Sequence, residues 1–205
     1  MAEHKFDFDS GALCLDFANT VEWHAGDQPQ EKLVHVVDLI DWAEAAKILS
    51  SDGAHRLRHL SKKQPQRAGE IFARAIELRE ALYRLFVTYS EQGSFEARDL
   101  SLLNEVLRES LAHLQLVPAA EGFDWGWVRD SAGLEQILWP VARSAGELLI
   151  SDRLSRVRQC ADNRGCGYLF VDTSRNRSRR WCSMESCGNR AKAHRHYRRR
   201  QEKTG

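Results

Sequence analysis

Cys160, Cys166, Cys182 and Cys187 fall within 28 residues, spaced C-x5-C-x15-C-x4-C. Four thiolates can close a tetrahedron around Zn²⁺ at about 2.3 Å. Each pair must then place both sulfurs on one side of a tight turn. Gly165 and Gly167 bracket Cys166, and Gly188 follows Cys187; glycine adopts the backbone conformations such turns demand. Turn amides can donate to the sulfurs and tune the site. Four free thiols or a redox pair is the alternative chemistry, but no close C-x-x-C redox motif is present. A catalytic zinc usually keeps three protein ligands and an open position, whereas four cysteines close the shell. His194 and His196 lie in a basic tail and read as solvated or phosphate-facing. The fifth cysteine, Cys14, sits between Leu13 and Leu15 and reads as a small buried apolar residue. An odd, clustered set of cysteines suits a reducing compartment and metal binding better than disulfides.

A second group of chemistry-bearing side chains lies near the N-terminus. Asp16, Asn19, Thr20, Glu22, Trp23 and His24 crowd polar and aromatic types around one turn. A small-ligand pocket could use Asp16, Asn19, Thr20 and His24. The plainer reading is that Asp16 or Asn19 caps a helix and Thr20 closes a turn. No G-x-S-x-G, P-loop, G-x-G-x-x-G or H-E-x-x-H motif occurs, so nothing here marks an enzyme and no catalytic residue is assigned.

The elements that must carry these groups follow from hydrophobic spacing. Residues 11–23 leave helix and strand open. Leu33, Val36, Val37 and Ile40 follow helical spacing within 33–49. The clearest helix is 66–91, where Ile71, Phe72, Ala75, Leu78, Leu82, Leu85, Phe86 and Tyr89 form one stripe behind Pro65. Leu100, Leu103, Leu107, Leu111 and Leu114 suggest another. Residues 114–117 and 123–127 alternate across Pro118–Gly122 and predict a β-hairpin. A last helix should start near Asp130 or Ser131 and run to about Leu154, with Pro140 kinking it or opening a second helix. In the cysteine module, 168–171 and 179–182 look like two short strands, joined through Thr173–Asn176 and followed by a helix. At roughly 45 residues this module has little apolar core, so a metal must supply much of its folding energy. The predicted fold is mainly α (α+β): a helical N-terminal domain over 1–152 with a small β-hairpin, then a treble-clef or zinc-ribbon-like finger with a basic helix over 153–205.

Charge divides the chain in the same way. The net charge of +1 over 205 residues hides fifteen basic and twenty-four acidic residues in 1–150, a net −9. Residues 151–205 hold fifteen basic and five acidic residues, a net +10. Such asymmetry points toward nucleic acid or a membrane. No apolar run approaches the roughly 20 residues of a membrane span, and Met1 to Asp9 lack the pattern of a signal peptide. A cytoplasmic protein with no membrane partner is expected. On a helix from Asn189, Lys192, Arg195, His196 and Arg199 share one face, widened by Arg190. Arg175, Arg177, Arg179 and Arg180 form a second basic group, with Arg180 also able to pair internally with Asp172. Arginine forks suit phosphate and guanine edges. The competing readings are a solvated tail, or a basic face docked on the acidic domain.

The string WCSMESCGNRAK, 181–192, resembles the signature of the CGNR zinc-finger family, and CGYLFVDTSRNRSRRW, 166–181, fits the same pattern. LCLDFANT, 13–20, resembles the start of the ABATE domain that usually precedes this finger. The first cysteine gap is one residue longer than the family pattern. The resemblance implies a stress-induced transcription regulator with zinc ligands Cys160, Cys166, Cys182 and Cys187. Nucleic acid, with DNA the expected form, would meet Arg175, Arg177, Arg179, Arg190, Lys192, Arg195 and Arg199. The helical domain would sense a small-molecule effector or form a homodimer. A scaffold protein with a docked finger and a small-molecule binder are the alternatives.

Overall fold

The computed structural model describes residues 5–128 and 133–194. Helix α1, Leu13–Ala18, is short but almost wholly buried. It settles the ambiguity of 11–23: the amides of Leu15 and Asp16 bond to the Ala12 carbonyl at 2.9 and 3.0 Å. Two-residue strands β1, Val21–Glu22, and β2, Gln30–Glu31, pair antiparallel. Helices α2, Val36–Ala45, α3, Ser51–Lys63, α4, Pro65–Ser90, and α5, Ala97–Ala112, follow. Helix α4 matches the stripe read from the sequence.

Helix α3 escapes a reading by periodicity because Ala54 and Leu57 are its only buried side chains of any apolar size. A cap starts it instead, with the Ser50 hydroxyl accepting from the Gly53 amide at 3.2 Å. Helix α5 is rotated from the expected leucine face. Leu103, Val106 and Ser110 are buried, while Leu100 and Leu111 are exposed.

The hairpin forms as predicted and runs slightly further: β3, Leu114–Ala119, pairs with β4, Gly122–Trp127. The expected helix start at Asp130 or Ser131 lies outside the described residues. A 3₁₀ turn over Leu134–Ile137 leads into α6, Leu138–Ile150. Pro140 sits in the first turn of α6, where its missing N–H costs no helical bond. A second 3₁₀ turn, Asp152–Arg156, separates α6 from the cysteine region.

Strands β5, Val157–Gln159, and β6, Leu169–Val171, form an antiparallel pair. This corrects the expected hairpin of 168–171 with 179–182. Residues 179–182 form no strand because their backbone is used elsewhere. The Arg179 amide donates to the Asp172 carboxylate at 3.0 Å, and the Arg180 carbonyl accepts from Ala161 at 2.8 Å.

Helices α1, α2, α4, α5 and α6 enclose one apolar core around Leu15, Phe17, Trp42, Leu78, Phe86 and Val141. Val157, Leu169 and Val171 belong to that same core. Successive strand residues point to opposite faces. Leu169 and Val171 therefore face the helices, while Phe170 packs with Cys160 and Cys187 in a second, small cluster. One three-residue strand is the wall between the helical core and the cysteines.

Candidate metal centre and nucleic-acid interface

The four cysteines converge from three places. Cys160 follows β5, Cys166 precedes β6, and Cys182 and Cys187 flank the N-terminal end of a helical stretch. That stretch begins with a π-helical turn, Met184–Gly188, and continues as α-helix over 189–194. Ser183 caps it, accepting from the amides of Glu185 and Ser186 at 3.1 and 3.3 Å. Gly165 and Gly167 adopt φ of +88° and +71°, left-handed values that form the knuckle around Cys166.

All four sulfurs lie within 4.8 Å of one another. Cys166 and Cys182 Sγ are 3.8 Å apart, and Cys182 and Cys187 Sγ 3.5 Å. A tetrahedron with bonds of about 2.3 Å has sulfur–sulfur edges of about 3.8 Å, so the set fits a four-thiolate metal site. Without a cation the thiols oppose one another's ionisation. Hydrogen bonds from Cys166 and Cys182 hold the Cys160 thiol far below its usual range, and Cys166 and Cys182 are pushed up in turn. A bound cation removes that conflict by stabilising every thiolate. Donors already face the sulfurs. The Cys182 amide points to Cys160 Sγ at 3.4 Å, and the Arg190 guanidinium to Cys187 Sγ at 2.9 Å.

The basic residues divide into two kinds. Arg175, Arg177, Arg180 and Lys192 are exposed. Arg179 and Arg190 are half-buried and engaged within the fold. Arg179 donates to the Trp181 and Cys182 carbonyls and lies 4.3 Å over the Phe170 ring. Arg190 reaches Cys187, lies 3.4 Å from the Asp162 carboxylate and sits 5.1 Å over Trp23. Arg195 and Arg199 lie outside the described residues. The suggested Arg180–Asp172 pair does not form. Asp172 accepts from the Ser174 and Arg179 amides, and Arg180 lies 5.4 Å over Trp181.

The N-terminal candidates are brought close to the finger, each with its own internal partners. Asn19 bonds both backbone groups of Leu169 at 2.8 Å. The Thr20 hydroxyl donates to the Phe17 carbonyl at 2.8 Å and faces Arg79 at 3.4 Å. Arg79 is itself held by Glu31 and Glu80. His24 Nε2 meets Glu80 at 3.0 Å, and its ring stacks on Tyr83 with centroids 3.6 Å apart. Tyr83 in turn donates to the Gly167 carbonyl and accepts from Gln159. Asp16 accepts from the Ser10 amide at 3.1 Å, and burial pushes its carboxyl up to about 6.

Two residues organise the finger: Asp162, passed over in the sequence, and Trp23, noted there only as a member of the N-terminal cluster. Asp162 is buried and holds both Arg164 and Arg190. Trp23 adopts a left-handed φ of 56°, rare for a bulky residue, and lies under both of those guanidiniums. The sequence signal was slight: an acid two residues after the first ligand, with an arginine two further on.

Two family models match. The ABATE model, described as "Putative stress-induced transcription regulator", covers residues 11–152. The CGNR zinc finger covers residues 156–200. Neither is an enzyme family. No curated protein gives a match. With its larger part matched by ABATE and its cysteine region by the CGNR finger, the chain belongs to the ABATE family and ends in a CGNR zinc finger.

Proposed function

We propose that this chain is a cytoplasmic, zinc-dependent transcription regulator that binds nucleic acid, DNA first, through its finger. Cys160, Cys166, Cys182 and Cys187 would hold Zn²⁺. The ion would neutralise the thiolates and join three otherwise separate segments, which is structural rather than catalytic chemistry. A closed four-thiolate shell carries a formal −2, so the +10 segment becomes about +8. Among the described residues no helix is long and apolar enough to cross a membrane.

One observation carries the reading. Arg175, Arg177, Arg180 and Lys192 are exposed, and among the described residues none has a carboxylate within 4 Å. Among the described residues, the finger's arginine ion pairs, from Arg164 and Arg190, both go to its own Asp162. The acidic N-terminal part therefore does not absorb this charge, as a docked basic face would require. Its contact with the finger runs through apolar side chains, neutral hydrogen bonds such as Asn19–Leu169 and Tyr83–Gly167, the Tyr168–Asp9 bond and the Trp23 ring beneath Arg164 and Arg190, with no ion pair across it among the described residues. Exposed arginines without a carboxylate partner are placed to meet phosphates; Arg195 and Arg199, the other expected contacts, lie outside the described residues.

The test is titration of a random duplex with the zinc-loaded chain at rising salt. Log affinity should fall linearly with log salt, by about 0.9 per phosphate contact. Changing both Arg175 and Arg177 to Gln should lessen the slope by about 2 and leave the fold intact. Absent or salt-independent binding overturns the reading.

A cleft of about 320 Å³ favours effector binding as a second role. It lies between the N-terminal segment and the metal centre, against Asp9, Glu22, Trp23, Tyr168, Cys182 and Arg190. Dimerisation draws support from the exposed Leu116, Phe123 and Trp125, whose register puts them on one face of the β3–β4 hairpin. Sedimentation over a range of protein concentrations tests it.

A further inference from the structure

On the finger's surface, between the 161–164 turn and the helix over 189–194, lies a cleft of about 420 Å³. Asp162, Arg164, Arg180, Trp181, Arg190 and His194 line it, and Asp162 is the only acidic residue among the described residues of its lining. The Asp162 carboxylate accepts from the Arg164 backbone amide and Nε at 3.1 and 3.2 Å, and from its terminal nitrogen at 3.1 Å. Arg190 Nε approaches the same carboxylate at 3.4 Å. Trp23 lies beneath both guanidiniums, at 5.2 and 5.1 Å. Two cations are thus fixed side by side by one carboxylate and one aromatic face.

One carboxylate cannot balance them once Arg180 is added. Arg180 is exposed and stacked on Trp181. Among the described residues, no acceptor lies within bonding distance of its guanidinium. Part of the arrangement has a plainer use, since Arg190 also donates to Cys187 Sγ and Arg164 braces its own turn. That use does not account for Arg180 or His194, which make no such brace and still face the cleft. Each guanidinium carries five N–H donors, and several remain unused. Fixed forks with spare donors, in a cleft poor in acceptors, complement a small anion rich in acceptor oxygens. Phosphate geometry meets that description.

We propose that this cleft is a phosphoryl-binding site that seats one phosphodiester of a nucleic-acid strand. The proposal rests on the nucleic-acid reading above and names the point at which the strand is anchored. The exposed Arg175, Arg177 and Lys192 then supply weaker contacts on either side.

The experiment uses the full-length, zinc-loaded chain with two probes, a short random-sequence duplex and inorganic phosphate. The principal variant is Arg180→Gln, which removes a guanidinium that stacks on Trp181 but makes no hydrogen bond or ion pair among the described residues. The second is Arg164→Lys, which keeps charge but loses the fork. Zinc content confirms that each variant is folded. Arg180→Gln should weaken duplex binding several-fold at low salt and lessen the salt slope by about 1. Phosphate should shift the side-chain N–H resonances of Arg164 and Arg190 in the wild type, and less in the variant. If the duplex binds and both variants keep the wild-type affinity and slope, the cleft assignment is overturned and the nucleic-acid reading stands. If the duplex fails to bind while phosphate still shifts those resonances, the nucleic-acid reading fails and the site is one for free phosphate. If neither probe registers, both are overturned.

Discussion

Asn19 brackets Leu169. Its side-chain amide donates to the Leu169 carbonyl, and its side-chain carbonyl accepts from the Leu169 amide, both at 2.8 Å. The two residues are 150 positions apart and both are buried. Asn19 thus takes the place of a neighbouring strand along β6, satisfying polar backbone that would otherwise be buried unpaired. On the same strand, the Val171 amide donates to the Ser10 carbonyl at 2.8 Å. The N-terminal segment and the finger are one hydrogen-bonded unit at this strand.

Asn19→Ala should cost about 2–4 kcal/mol, since it orphans two buried backbone groups. Urea denaturation of the zinc-loaded chain would read it as a lower midpoint with little change in slope. Asn19→Asp keeps the acceptor but turns a carboxylate oxygen toward the Leu169 carbonyl, so it should not rescue stability at neutral pH. A wild-type midpoint for Asn19→Ala would show that Leu169 finds other partners.

Removing the metal should destabilise more than the finger. Leu169 and Val171 lie in the helical core, and Phe170 lies against Cys160 and Cys187. Loosening the sulfur cluster therefore frees a strand that the helices also use. Chelation, or Cys182→Ser, should lower the thermal midpoint of the whole chain within one cooperative transition. Two resolved transitions, with the helical one unmoved, would mean that the two regions fold independently.

The cysteine cluster, the long helix α4 and the β3–β4 hairpin were legible because each signal is local. Ligand spacing, a 26-residue stripe and strict alternation around a turn can all be read within a short window. The partner of β6 was not legible. Val157–Gln159 is three residues long, too short to show a period, and it pairs there because Val157, Leu169 and Val171 share a core assembled from distant helices. Asn19 was legible only in part: it does stand at the C-cap of α1, but its side chain is spent on Leu169, a partner that only the folded chain supplies. The Asp162–Arg164–Arg190 group has two members in one turn and the third on a helix beyond three more cysteines, so no spacing rule joins them.

Asp16 should make stability depend on pH in a definite direction. Burial raises its carboxyl from the ordinary 3.8 to about 6. Between those values the folded chain holds a proton that the unfolded chain has released. The stabilisation from this group is complete below about 4 and is lost as pH rises through about 6. Asp16→Asn cannot ionise, so it should gain on the wild type as pH goes from 4.5 to 7. The comparison of urea midpoints isolates Asp16, because proton competition at the thiolates is common to both proteins. A constant difference across that range would show that Asp16 does not titrate there.

The turn around Cys166 depends on glycine in a way that a single methyl group can test. Gly165 has φ of +88°, and a Cβ there would lie 2.3 Å from Gly26 Cα and 2.5 Å from Gly26 N. The obstacle is backbone, so no rotamer change relieves it. Gly165→Ala combines a left-handed conformation costing about 1–2 kcal/mol with a clash that must push the 162–167 knuckle away from residues 25–26. It should destabilise by at least about 2 kcal/mol and weaken metal retention, since Cys166 moves with the knuckle. Gly69 provides the opposite case. It lies inside α4 with nothing within 4 Å of the added carbon, so Gly69→Ala should stabilise by about 0.5–1 kcal/mol. Paired unfolding curves and chelator-competition rates decide the matter. Equal midpoints for the two variants would mean that the contact between the knuckle and the N-terminal segment yields without cost.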